Sequence, residues 1–169
     1  MMLGVDERRA VAGLFVRALR DSRFRGSLPL ESEPSYTSLV VQPCLLEVWR
    51  RLEIPGLVVG GHGGAPAHAV SFMGLQFIPD AEITYRGSRL LAIETKFIRP
   101  ANRQHQITVA IGQATIYSLA GFDSSVALLL DFATTTYLAD KPQVSELGQG
   151  RVSLVVKRRN HLGEFVSQQ

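Results

Sequence analysis

A chain of 169 residues with 46% hydrophobic residues, net charge +3 and one cysteine has room for a single domain with a real core. Cys44 alone excludes an internal disulfide and a Cys₄ zinc or iron–sulfur centre. No apolar run approaches the roughly 20 residues of a membrane span, and the N-terminus lacks a signal peptide's apolar core, so a cytoplasmic location is expected.

Asp6 to Arg20 reads as an amphipathic helix with Asp6 at the N-cap and Val11, Leu14, Phe15, Ala18 and Leu19 on one stripe; Arg8, Arg9, Arg17 and Arg20 lie on the other face. Asp21 to Tyr36, rich in Ser, Pro and charge, reads as a connection or irregular arm. The next helix takes Pro43 into its first turn, where a missing N–H costs nothing, and buries Leu45, Val48, Trp49 and Leu52. Glu47 lies opposite that stripe, a position that favours solvent.

Leu57–Val59 is a short strand, followed by a Gly-rich loop from Gly60 to Ala69 that carries His62 and His68. The loop lacks the Lys-Ser/Thr ending of a phosphate-binding P-loop and does not match the dinucleotide pattern. With no third ligand in view, both histidines read as surface residues, as do His105 and His161.

Ala81–Tyr85 and Arg89–Phe97 are strand-like runs separated by Arg86-Gly87-Ser88, and Gly87 supplies the positive φ of a hairpin loop. A three-residue loop centred on Gly87 sets Asp80 opposite Glu94, and period-2 alternation puts Lys96 on Glu94's face. Two opposed carboxylates cost stability unless a cation lies between them, and a hard divalent ion such as Mg²⁺ suits such a pair. A two-residue loop would slip the ladder by one and send Asp80 to the other face.

A helix from about Gln106 to Ala120 is apolar almost all round, and Gln113 and Tyr117 are neighbours on one side of it. Gly121 is the candidate C-cap, Val126–Leu130 reads as a strand buried on both faces, and Val152–Val156 as an edge strand after a mostly polar Tyr137–Gly150. The expected fold class is therefore α/β, a mixed sheet flanked by helices. It divides into an N-terminal helix and arm (1–36), a core (37–132) and a C-terminal extension (133–169). Basic residues gather at Arg86, Arg89, Lys96, Arg99 and Arg103, and again at Arg151, Lys157, Arg158 and Arg159; such patches suit a polyanion or simply face water.

Pro79-Asp80 followed by Glu94-Thr95-Lys96 resembles the signature of the PD-(D/E)xK nuclease superfamily, and Gln113-Ala-Thr-Ile-Tyr117 looks like the QxxxY element of its recombination and exonuclease branch. The resemblance covers roughly residues 40 to 132. It implies a restriction-endonuclease-like core of αβββαβ order and a Mg²⁺-dependent deoxyribonuclease in which Mn²⁺ substitutes. It further implies a metal at Asp80, Glu94 and the Thr95 carbonyl, with Lys96, Gln113 and Tyr117 completing the catalytic group. A glutamate on the first core helix often joins such sites, and Glu47 is the candidate. DNA contacts are expected from Arg86, Arg89, Arg99, Arg103, Lys157, Arg158 and Arg159. A two-fold homodimer would cut both strands of a duplex. The alternatives are a noncatalytic nucleic-acid- or protein-binding module on the same scaffold and a hydrolase of another phosphate ester.

Overall fold

The computed structural model describes residues 3–22, 24–25, 32–62, 65–132, 152–159 and 164–166. The chain runs α1 (Val5–Asp21), β1 (Phe24–Arg25), α2 (Glu33–Tyr36), a π-helical turn (Thr37–Val41), α3 (Gln42–Leu52), β2 (Leu57–Gly61), β3 (Val70–Phe72), β4 (Leu75–Phe77), β5 (Ala81–Tyr85) and β6 (Ser88–Ile98). It continues through α4 (Arg103–Leu119), β7 (Ser124–Asp131), β8 (Val152–Arg159) and β9 (Glu164–Val166). Seven strands form one mixed sheet in the order β1-β9-β8-β7-β6-β5-β2, with β6, β7 and β8 parallel and the other pairs antiparallel; β3 and β4 make a separate two-stranded arm. The α/β class expected from the sequence is the class observed.

Helices cover both faces of the sheet. On one face Phe15, Leu19 and Leu45 from α1 and α3 pack with Leu57, Ile83, Leu91, Ile93 and Leu128. Each such fully buried side chain stabilises the fold by about 1.5–3 kcal/mol. On the other face Ala110 and Ala114 of α4 meet Ile98, Ala127 and Leu129. Gly121 follows the helix with φ 99°, a left-handed value that glycine adopts without strain.

Several boundaries differ from the expectation, each for a physical reason. α1 is capped by Gly4, with Asp6 inside its first turn beside Glu7. Trp49 is 38% exposed because its indole reaches over to donate Nε1–H to the Leu57 carbonyl at 2.7 Å. The expected edge strand β8 is interior, paired with β7 on one side and β9 on the other. Glu33–Tyr36 is helical within the expected arm: the Ser32 hydroxyl accepts the Ser35 N–H, Pro34 sits in the first turn, and the helical path continues to Leu52. The polar stretch Tyr137–Gly150 lies outside the described residues.

The β5–β6 hairpin reaches its register by a route the sequence did not reveal. Tyr85 pairs with Ser88, so the loop has two residues, Arg86 (φ 48°) and Gly87 (φ 81°), as a type I′ turn requires. That loop alone would slip the ladder by one. The pairing shifts between Ile83↔Leu91 and Thr84↔Arg89, leaving Leu90 as an extra residue in β6, and this bulge restores the frame to Ala81↔Ile93. Leu90 and Leu91 both bury in the same core, which compensates for the interrupted ladder.

Candidate active site

Continuing the ladder one step beyond Ala81↔Ile93 sets Asp80 against Glu94. At this point β5 has ended while β6 runs on to Ile98, so the amides of Thr95 and Phe97 on that side lack a strand partner. Buried amides left unpaired are costly, and here carboxylates serve them. Asp80 Oδ2 accepts the Thr95 N–H at 2.7 Å, and Glu33 Oε1 accepts the Phe97 N–H at 2.9 Å. The gap in the sheet thereby fixes two acids from distant parts of the chain beside β6.

The side chains of β6 complete the group. Lys96 Nζ donates to Glu94 Oε1 at 2.6 Å and to Glu33 Oε2 at 3.4 Å, while the Tyr117 hydroxyl, projecting from α4, donates to Glu94 Oε2 at 2.9 Å. Gln113, one helical turn before Tyr117, keeps Oε1 buried without a hydrogen-bond partner. Burial, and then the Asp80 charge, push the Glu94 carboxyl up to about 7 despite Lys96 and Tyr117. Asp80 is raised as well, chiefly by burial, against the pull of the Thr95 amide, Lys96 and His62. Burial alone would lower Lys96, but Glu94, Asp80 and Glu33 outweigh it and raise the ammonium above its ordinary value. Tyr117 is also raised, by burial and by Glu94, and stays protonated. The result is an acid pair whose full ionisation is opposed by burial and by mutual repulsion.

Asp80, Glu94, Thr95, Lys96 and Tyr117 therefore converge as the sequence reading expected. Others do not. Glu47 lies exposed on α3 in an ion pair with Arg51, as its place opposite the apolar stripe favours, and the helix-borne acid beside Lys96 is Glu33. The overlooked signal was Ser32-Glu33-Pro34, an N-cap serine with proline in the next turn.

Lys157 departs from the expected DNA contact. It is fully buried and donates to the Arg20 and Ser22 carbonyls at the C-terminal end of α1, so it is an internal anchor and not a surface contact. Burial lowers its pKa to about 8. Arg158 pairs with Asp131 at 3.7 Å, and the Arg159 side chain lies outside the described residues. Arg89 donates to the Ala120 carbonyl and stacks over Phe122, and Arg86 lies over Tyr85. Both sit near the hairpin turn, about 13–20 Å of strand away from Asp80. Arg99 and Arg103 follow β6 at the site's own end.

Both loop histidines face acids. The His62 imidazole approaches Asp80 Oδ1 to 3.9 Å, and His68 Nδ1 bonds the buried Glu82, two residues along β5. Among the described residues no three His, Cys, Asp or Glu side chains already stand at metal-ligand spacing. The donor chemistry nonetheless fits a hard divalent ion: two opposed carboxylates, both raised in pKa, with Asp80 Oδ1 left over after Oδ2 is taken by Thr95. The chain matches no family model, no curated protein and no solved structure.

Proposed function

We propose that this chain is a metal-dependent nuclease that hydrolyses DNA phosphodiester bonds. The observation that carries this reading is the meeting of Asp80, Glu94 and Lys96 where β5 leaves β6, with Tyr117 hydrogen-bonded to Glu94. The order of these residues, which resembles the PD-(D/E)xK pattern, supports it.

Asp80, Glu94 and the Thr95 carbonyl are the groups to hold Mg²⁺ or Mn²⁺. A cation bound there would lower the pKa of a water and offset charge developing on the phosphate. Lys96, kept protonated by its acids, orients the attacking water and donates to a phosphate oxygen. Tyr117 holds Glu94 in one orientation, and Glu33 holds Lys96. Gln113 Oε1, buried without a partner one helical turn from Tyr117, could accept a hydrogen bond from the water. Arg99 and Arg103 follow the adjacent backbone. Water adds at phosphorus, giving up a proton to solvent, and the bond to the leaving sugar oxygen breaks as that oxygen takes a proton from solvent, with no protein nucleophile required.

The test is incubation of supercoiled and linear DNA with the purified chain, with Mg²⁺ and with a chelator. Cleavage that needs the metal is expected. DNA binding without cleavage under both conditions would replace the enzyme with a noncatalytic binding module, and neither binding nor cleavage would sink both readings.

A further inference from the structure

Charge is unevenly spread along this chain. None of its 18 basic and 15 acidic residues falls within 54–79 or 104–122. Those stretches supply the β3–β4 arm and nearly all of α4, and they meet on one side of the sheet: Val70 and Phe77 of the arm pack with Tyr117, Ala120 and Phe122. At 20% charged overall, surface stretches of this length would ordinarily carry several charges.

The same stretches hold the most exposed large apolar side chains among the described residues, Met73 (88%), Leu119 (67%), Leu75 (63%) and Ile78 (61%). Two backbone features there serve nothing inside the chain. Met73 opens the turn between Phe72 and Leu75 with φ 50°, where Asn or Gly would sit without strain. Gly112, exposed in the middle of α4, weakens the helix relative to alanine, and an added Cβ would meet nothing within 4 Å.

We propose that this face, the β3–β4 arm with the outward side of α4, is the contact between two copies of this chain in a two-fold dimer. Charge decides among the occupants. Following a phosphate backbone or an anionic membrane takes Lys or Arg, and neither stretch has one. The centre of a protein interface is where charges are depleted and Met and aromatic side chains gather, and a second copy brings the same uncharged groups to meet them. Size agrees. A standard interface takes about 800 Å² from each partner, contributed by about 20–30 residues. The outward turns of the 17-residue α4 supply about a third of that, and the arm, where none of residues 71–78 is buried, about another third. The contact is therefore at the small end of the stable range, with a dissociation constant on the order of micromolar.

Sedimentation equilibrium of the full chain, from about 1 to 100 µM, tests this without recourse to DNA cleavage. The wild type should dimerise within that range. Leu75→Arg and Leu119→Arg should raise the dissociation constant at least about tenfold, whereas Leu39→Arg, 57% exposed on the π-helical turn, should leave it unchanged. Met73→Gly, which suits the positive φ, should also weaken the dimer while melting no lower than the wild type at a concentration where both are monomers. A wild type that stays monomeric, or a dimer that survives these substitutions, overturns the proposal and leaves the nuclease site standing. A monomeric wild type whose DNA binding is lost in Leu75→Ser also overturns it, and makes the arm a nucleic-acid contact.

Discussion

Two lysines in this molecule are buried in opposite ways. Lys96, at the open end of the hairpin, is surrounded by Glu94, Glu33 and the charge of Asp80, and its ammonium is held above its ordinary pKa. Lys157, in β8, meets the carbonyls of Arg20 and Ser22, and burial lowers it to about 8. The first arrangement concentrates charge at a place where a sheet is left unfinished. The second ties the end of a helix to a strand. The difference teaches that a basic residue in a run of basic residues says little about its role until its partners are known.

The comparison is broken most sharply by replacing each lysine. Lys96→Ala, like Asp80→Ala, should lower DNA cleavage by about 10²–10³-fold or more while DNA binding is largely kept. A gel assay of plasmid nicking measures it, and a variant that cuts at the parental rate removes the site assignment. Lys157→Ala should instead cost about 2–5 kcal/mol of stability in denaturant unfolding, because it leaves a cavity and two unserved carbonyls. The slope of DNA affinity against salt should not change. A reduced slope would return Lys157 to the surface.

The pH dependence of stability should run in opposite directions for the two regions. Glu94 is raised from 4.5 to about 7 in the folded chain, so the folded state holds its proton longer than the unfolded state does. Its stabilising contribution in the metal-free protein is complete below pH 4.5 and is lost as pH rises toward about 7. Lys157 is lowered from 10.5 to about 8, so the unfolded state binds the extra proton and stability should climb between about pH 8 and 10.5. Melting curves across both ranges measure this. Glu94→Gln should flatten the first slope alone and Lys157→Met the second alone.

Smaller effects separate the helix acids and the tyrosine. Tyr117→Phe removes the donor to Glu94 Oε2 and should reduce cleavage about tenfold with little change in fold, since a hydrogen bond to a charged group contributes about 1.5–3 kcal/mol. Glu33→Gln should weaken cleavage by a similar or smaller factor. Glu47→Gln, on an exposed ion pair, should leave cleavage unchanged and alter stability by less than about 0.5 kcal/mol. A loss of activity on changing Glu47 that exceeds the loss on changing Glu33 would reverse their assignment.

Much of the site was legible because its residues lie on one hairpin and one helix, where period and spacing determine the face. Asp80 and Glu94 face each other as the sequence implied, although through two departures from the simple hairpin that cancel: a loop one residue shorter and a bulge at Leu90. What was not legible came from elsewhere in the chain. Glu33 reaches Lys96 from a helix start hidden in a Ser- and Pro-rich stretch. His62 reaches Asp80 because a glycine lets two backbones nearly touch, a contact that no local pattern records. Lys157 alternates in step with Val155 on the buried face of β8, but the adjacent Arg158 and Arg159 masked that alternation as a surface cluster.

Thermal melting of the wild-type chain and of Asp80→Asn, each with and without Mg²⁺, tests the central claim most directly. Asparagine keeps an oxygen for the Thr95 amide but removes one of the opposed charges. The metal-free variant should melt at or above the wild-type temperature, and Mg²⁺ should raise the wild-type temperature alone, by linkage to a site only the folded chain possesses. An equal rise in both proteins, or none in the wild type, would contradict a cation held between residues 80 and 94.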